Sequence, residues 1–369
     1  MDYALISLLF VSNALGFIFA APCIHYLETR FGRARTYQLS LTLLALAYVA
    51  IICKPPFPVV VACFFLSGFG MAINLSLNNV FCVSLVNSTM SLGILHGAYG
   101  IGGTIGPLVA TAMASHGVRW SYYYSVTLFF ALFNIALSTW AYRGYETDIP
   151  DQLLTSPALE QTASHQANQA DQPTKRQTLK LALRSKVTVL GALFIFAYQG
   201  AEVSIASWLV SFLISYRNGE AASVGYVSSG FWLGITLGRF LLSQPAAKFG
   251  EKRSVVALVA CSAILQIVVW QVPNVIGNAV AISLVGLLLG PVYPCATSVF
   301  SKLLPRSIQM SSLSFISAMG SSGGAAAPFL TGLLAEKLGT VVLHPIVIIL
   351  YVAMVVGWLC LPRIRKRTE

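Results

Sequence analysis

Eleven long apolar runs constrain this chain more than any single motif. They cover approximately residues 2–24, 36–53, 58–86, 91–115, 120–142, 188–216, 221–247, 254–272, 275–301, 309–335 and 341–362. Hydrocarbon offers no water to satisfy backbone N–H and C=O groups, so a run of roughly 18 or more apolar residues is stable there as a helix. The composition fits: 56% of the 369 residues are hydrophobic, 9% are charged and mean hydropathy is +0.75, whereas a soluble domain carries about 25% charged residues. The expected fold is an all-α membrane bundle.

The net charge of +11 arises from 23 Lys and Arg against 12 Asp and Glu, a balance that in a soluble protein would suggest nucleic acid. Its distribution excludes that partner. Alternation of the spans puts eighteen of the 23 cations on the side that holds Arg30, Arg33 and Arg35, four on the other (Lys54, Arg119, Arg217, Lys337), and Arg239 inside a span. Such a bias marks the cytoplasmic face, which also receives the C-terminus. The seven cysteines lie in or beside apolar runs without ligand spacing, so neither a metal nor a disulfide framework is expected. No phosphate loop, metal motif or nucleophile elbow occurs, which points away from an enzyme and from any cofactor.

Within this layout a pattern repeats. Gly230, Gly234 and Gly238 form a small-residue stripe on one helical face, followed by the basic turn Lys248-Phe249-Gly250-Glu251-Lys252-Arg253. Ser12, Gly16 and Ala20, then Arg30-Phe31-Gly32-Arg33-Ala34-Arg35, repeat it 218 positions earlier. A looser echo, at an offset of 221, links Gly102-Gly103-Thr104-Ile105-Gly106-Pro107 with Gly323-Gly324-Ala325-Ala326-Ala327-Pro328. The chain therefore reads as a five-span half (1–142), a polar linker (143–187) expected to be disordered except for a short amphipathic helix at 178–186, a six-span half (188–362) and a basic tail (363–369). The partner of the 188–216 span would fall upstream of Met1, so one helix of a twelve-span plan is expected to be missing. Asn87-Ser88-Thr89 matches a glycosylation pattern but falls on the cytoplasmic side and is expected to be unmodified.

The duplicated halves and the turn Arg30-Phe31-Gly32-Arg33 resemble the major facilitator superfamily, whose signature loop follows the pattern G-x-x-x-D-R-x-G-R-R. His25, Thr29 and Ala34 depart from it, and Glu28 sits one position before the expected acid. Leu95 to Gly102, Tyr198-Gln199-Gly200-Ala201-Glu202 with Trp208, and Phe231-Trp232-Leu233-Gly234 are similar to fungal relatives of fucose permeases. The resemblance implies twelve helices, alternating access and frequent proton coupling. Glu28, Arg30, Gly32, Arg33 and Arg35, with Lys248, Gly250 and Arg253 in the second half, would then form a cytoplasmic gate; a purely topogenic role is the other reading.

Several residues could carry the chemistry. Glu202 lies near the middle of its span, where a charge costs roughly 2.5–3.5 kcal/mol, so it is expected to face a cavity or be neutralised by a proton. Tyr198 lies one turn away on the same face. Arg239 either reaches back toward water, struts a gate, or pairs with an acid or an anionic solute. His96 is a relay or a packing residue. Asn74 and Asn78 contact solute or tie helices together, and Trp208 and Trp232 stack on a sugar ring or pack. Gly102, Gly106 and Pro107, with Gly320, Gly324 and Pro328, read as close-crossing and bending points. The function expected from all this is secondary transport of a small organic solute by a monomer in the plasma membrane, with import of a sugar-like solute with protons ahead of metabolite export. A non-transporting remnant or nutrient sensor is the reading from a different class.

Overall fold

A computed structural model describes residues 2–84, 88–143 and 175–362. Among the described residues there are helices and short helical turns and no strand. The helices are α1 (Tyr3–Phe31), α2 (Arg33–Ile52), α3 (Phe57–Ser84), α4 (Ser88–Ser115), α5 (Tyr123–Ala141), α6 (Lys175–Arg184), α7 (Lys186–Arg217), α8 (Ala221–Leu241), α9 (Ser243–Phe249), α10 (Glu251–Gln271), α11 (Val275–Leu289), α12 (Val292–Leu303), α13 (Arg306–Leu338) and α14 (Leu343–Leu359). The described part of each expected apolar run is mostly helical, and eight helical stretches among the described residues are long and apolar enough to cross a membrane. The remaining long helices, α4, α8 and α13, are the ones richest in glycine and serine.

Two expected spans are interrupted. The 221–247 run breaks after Leu241, because Pro245 lacks the N–H that would bond to the Leu241 carbonyl and its ring crowds that oxygen. The 275–301 run is interrupted between α11 and α12, at Gly290-Pro291, where Pro291 and, three residues on, Pro294 lack backbone donors. The short amphipathic helix is present as α6. Most of the expected disordered linker, Asn87 and the basic tail lie outside the described residues.

The described chain falls into two compact units. Among the described residues, one contains 2–10, 99–116 and 175–362, the other 11–84, 88–98 and 117–143, so α1 and α4 contribute to both. In the larger unit α7 is the central rod: Phe194, Tyr198, Ala201, Ile205, Leu209 and Phe212 are all buried at helical spacing against α13 and α14. In the smaller unit Tyr37, Leu41 and Leu44 of α2 close on Ala20 of α1 and on Ala72, Ile73 and Leu77 of α3. The outward faces are apolar too; Phe129, Phe130 and Phe133 of α5 are each more than half exposed. That arrangement is unfavourable in water and natural in lipid.

The duplication is visible atom by atom. A Cβ on Gly16 would collide with the Phe65 carbonyl oxygen, and one on Gly234 with that of Ser283. Gly68 lies equally close to the Asn13 carbonyl, and Gly286 to that of Phe231. All four pairings are related by the same 218 positions. The basic turns match as well: Gly32 and Gly250 both adopt positive φ, 80° and 103°, where a side chain would be strained.

Candidate functional site

The residues with the most chemistry gather inside the larger unit, on α7, α8 and the later part of α4. Glu202 is 6% exposed, and its Oε2 has no hydrogen-bond partner. Helical spacing puts Tyr198 one turn before it, fully packed, with its hydroxyl donating to the Leu289 carbonyl at 3.3 Å. That hydroxyl also lies within side-chain reach of both Glu202 and Arg239. Arg239, on the last turn of α8, interacts electrostatically with Glu202 without forming a contact ion pair. Its backbone is held where Gly290 packs against Gly238 and Arg239.

Two tyrosines that the sequence reading did not single out join this group. Tyr99 of α4 lies within electrostatic range of both Glu202 and Arg239 and meets Trp232 edge-on, at 6.0 Å between ring centres. Tyr351 of α14 is buried, also within range of Glu202, and its hydroxyl has no partner. Their signal in sequence was only that each is a polar-tipped ring within an apolar run. The resulting cluster holds one acid, one base and three phenols. An unpartnered carboxyl oxygen in such a setting can accept a proton or a hydrogen bond from a hydroxylated solute, and the phenols can donate or accept.

The other candidates are placed as follows. Trp232 is half-buried and packs against Gly103. Trp208 is 3% exposed, donates its indole N–H to the Pro328 carbonyl at 2.9 Å and meets Tyr3 edge-on, so its ring is already engaged by protein. Asn74 and Asn78 belong to the smaller unit, where the Asn78 amide donates to Asn74 Oδ1 at 2.9 Å. The Asn74 amide nitrogen is buried without a partner. His96 lies on α4, and its side chain is outside the described residues.

In the basic turns, Glu28 pairs with Arg33 at 3.3 Å, while Arg30, Arg35, Lys248 and Arg253 are exposed. The second turn has a pair of its own that was not anticipated: Lys302 contacts Glu251 at 2.7 Å, and Ser298 donates to the same carboxylate at 2.6 Å. Of the expected close-crossing glycines, Gly230, Gly234, Gly238, Gly320 and Gly324 all face neighbouring helices. Gly102 does not: a Cβ there would meet nothing within 4 Å, and Gly100 and Gly103 make the contacts with Thr236 and Trp232 instead. Pro107 and Pro328 both lie inside their helices. A second buried polar group, His344 with Gln266 at 2.8 Å beside Trp270, also escaped the sequence reading. No cluster of side chains suited to a metal ion occurs among the described residues.

Comparison with known proteins gives this arrangement a family. The chain is 26% identical to the Saccharomyces cerevisiae protein "Bypass of stop codon protein 6", over 99% of its own length and 76% of that protein's. It is 20% identical to the Bacillus subtilis "Glucose/mannose transporter GlcP", over 89% and 78% respectively. A crystal structure of a D-xylose–proton symporter superposes with a TM-score of 0.73 at 14% identity, covering 97% of this chain and 86% of that one. The Major Facilitator Superfamily profile matches residues 1–328 and again 204–369. This multi-pass membrane protein belongs to the Major Facilitator Superfamily.

Proposed function

We propose that the chain is a secondary active transporter that carries a small sugar-like solute by alternating access, driven by protons. The observation that carries this reading is Glu202: a carboxyl buried in mid-span, with one oxygen unpartnered, between Tyr198 and Arg239. A structural glutamate would have its oxygens satisfied by neighbouring helices. Because Arg239 offsets the acid, the cluster suits an uncharged, hydroxyl-bearing solute better than an anion. The sugars named for two of the similar proteins support that class.

In this reading Glu202 takes up the proton, Tyr198 and Tyr99 hold the carboxyl and the solute in register, and Trp232 offers the solute a ring face. Asn74, Asn78 and His96, taken by themselves within the smaller unit, are assigned as polar groups available to solute or proton, and Trp208 is assigned to packing. The basic turns around Gly32 and Gly250 act as the cytoplasmic gate, and the glycine contacts provide the sliding surfaces. Eleven spans, a cytoplasmic C-terminus and a monomer in the plasma membrane complete the proposal.

Uptake of labelled glucose, mannose and xylose into proteoliposomes, with and without an inward proton gradient, tests it. Gradient-stimulated uptake of at least one sugar is expected from the wild-type chain. No uptake of any of them under either condition overturns the sugar assignment, and uptake indifferent to the gradient overturns the coupling.

A further inference from the structure

Short as it is, α6 has an unusual composition: Lys175–Arg184 reads KRQTLKLALR, with no acid. Only one face of its second half is covered. Ala182 is completely buried, and α6 packs against α13 and α7. Lys180, Leu181, Leu183 and Arg184 are exposed, as is Lys186 across the junction. None of these three cations meets an acid among the described residues, where the contact ion pairs are Glu28–Arg33 and Glu251–Lys302.

The position of α6 is fixed by its junction with α7. Ser185 is extended (φ −72°, ψ 121°), so the chain turns out of α6 and starts α7, a 32-residue helix long and apolar enough to cross the bilayer. Thr188, in the first turn of α7, bonds to Ser312 of α13 at 2.9 Å, with both residues fully buried. The helix α6 is therefore anchored where α7 enters the membrane, at the depth of the headgroups. Its exposed side carries Leu181 and Leu183 together with Lys180 and Arg184, which lets the leucines reach acyl chains while the cations stay among headgroups.

We infer that the exposed face of α6 is a binding surface for anionic phospholipid headgroups, held by Lys180, Arg184 and Lys186. This rests on the topology proposed above, which places α6 at the inner leaflet, where anionic lipid is concentrated. The acidic residues of the linker could compete for the same cations, but two exposed leucines flanking them favour lipid.

Native mass spectrometry of the full chain released from detergent, incubated with phosphatidylserine or phosphatidylcholine, tests the inference. The wild type is expected to retain phosphatidylserine severalfold over phosphatidylcholine. K180Q/R184Q/K186Q should bring retention of the two lipids close to parity, while K248Q/R253Q, at another basic turn, leaves most of the preference in place. Equal retention of the two lipids by the wild type, or an undiminished preference in the triple variant, overturns it. So does a preference that appears only once the linker acids are neutralised (E146Q/D148N/D151N/E160Q/D171N), since the linker would then be the occupant. Labelling of K180C by an impermeant maleimide, in a chain freed of its seven native cysteines, separates the two readings. Labelling from outside intact cells refutes the topology; labelling only after the cells are opened, with no lipid preference, refutes the lipid surface alone.

Discussion

Gly234 packs so tightly against the backbone of Ser283 that one added methyl group would collide with the Ser283 carbonyl oxygen. Neither partner is a flexible side chain, so the two helices would have to separate. Gly234→Ala is expected to destabilise the protein by about 1–3 kcal/mol, and Gly16→Ala, at the equivalent contact, by a similar amount. Gly102→Ala, which adds a methyl in open space, should be neutral or slightly stabilising through helix propensity. Thermal unfolding in detergent checks all three, and equal effects would contradict the crossing geometry.

Glu202→Gln keeps the shape and hydrogen-bonding capacity of the side chain while removing its proton chemistry. Uptake by this variant is expected to lose its dependence on pH and on the proton gradient, with equilibrative exchange of solute retained. Wild-type pH dependence in the variant would exclude Glu202 as the coupling group.

For Trp208 the structure separates packing from recognition. Trp208→Phe loses the bond to the Pro328 carbonyl, so stability should fall by about 1 kcal/mol while KM for the transported sugar stays within a factor of two or so of the wild-type value, a change worth under about 0.5 kcal/mol. A large rise in KM at unchanged stability would place the indole on the solute.

Sequence and structure diverge in an orderly way along these residues. Helix positions were legible because apolar runs and membrane thickness leave few alternatives, whereas Asn74 and Asn78, read as contacts to solute or to another helix, bond to each other along one helix. The stripe Gly230, Gly234 and Gly238 was legible too, but its counterpart was not: Gly286 and Gly290 gain meaning only once α8 and α11 are side by side. Tyr99 and Tyr351 reach Glu202 from helices 103 and 149 positions away, a relation that no local pattern encodes. The break at Pro245 was readable in principle, but the apolar run continued past it and masked the interruption.

The two basic turns should differ in strength. Glu28 and Arg33 are each more than a quarter exposed, so Glu28→Gln is expected to cost less than about 1 kcal/mol, a cost that shrinks further as salt is added. Glu251 is 11% exposed and serves both Lys302 and Ser298. Glu251→Gln should therefore cost about 1–3 kcal/mol, measured as loss of thermal stability at low ionic strength, and an effect no larger than that of Glu28→Gln would refute the difference.

The constancy of the glycine contacts also locates the difference in length between the halves. From Asn13 to Gly68 and from Phe231 to Gly286 the two halves have kept identical chain length, since every matched carbonyl and glycine is 218 positions apart. By Gly102 and Gly323 the separation has grown to 221. The three-residue difference in length between the halves therefore falls after the interlocked crossing. That is also where the second half interrupts its helix at Pro291 while the first runs unbroken through α3 to Ser84. The two halves thus keep equal length wherever backbones touch and differ only beyond that point, which makes the segment after the crossing the natural place to splice a chimeric transporter.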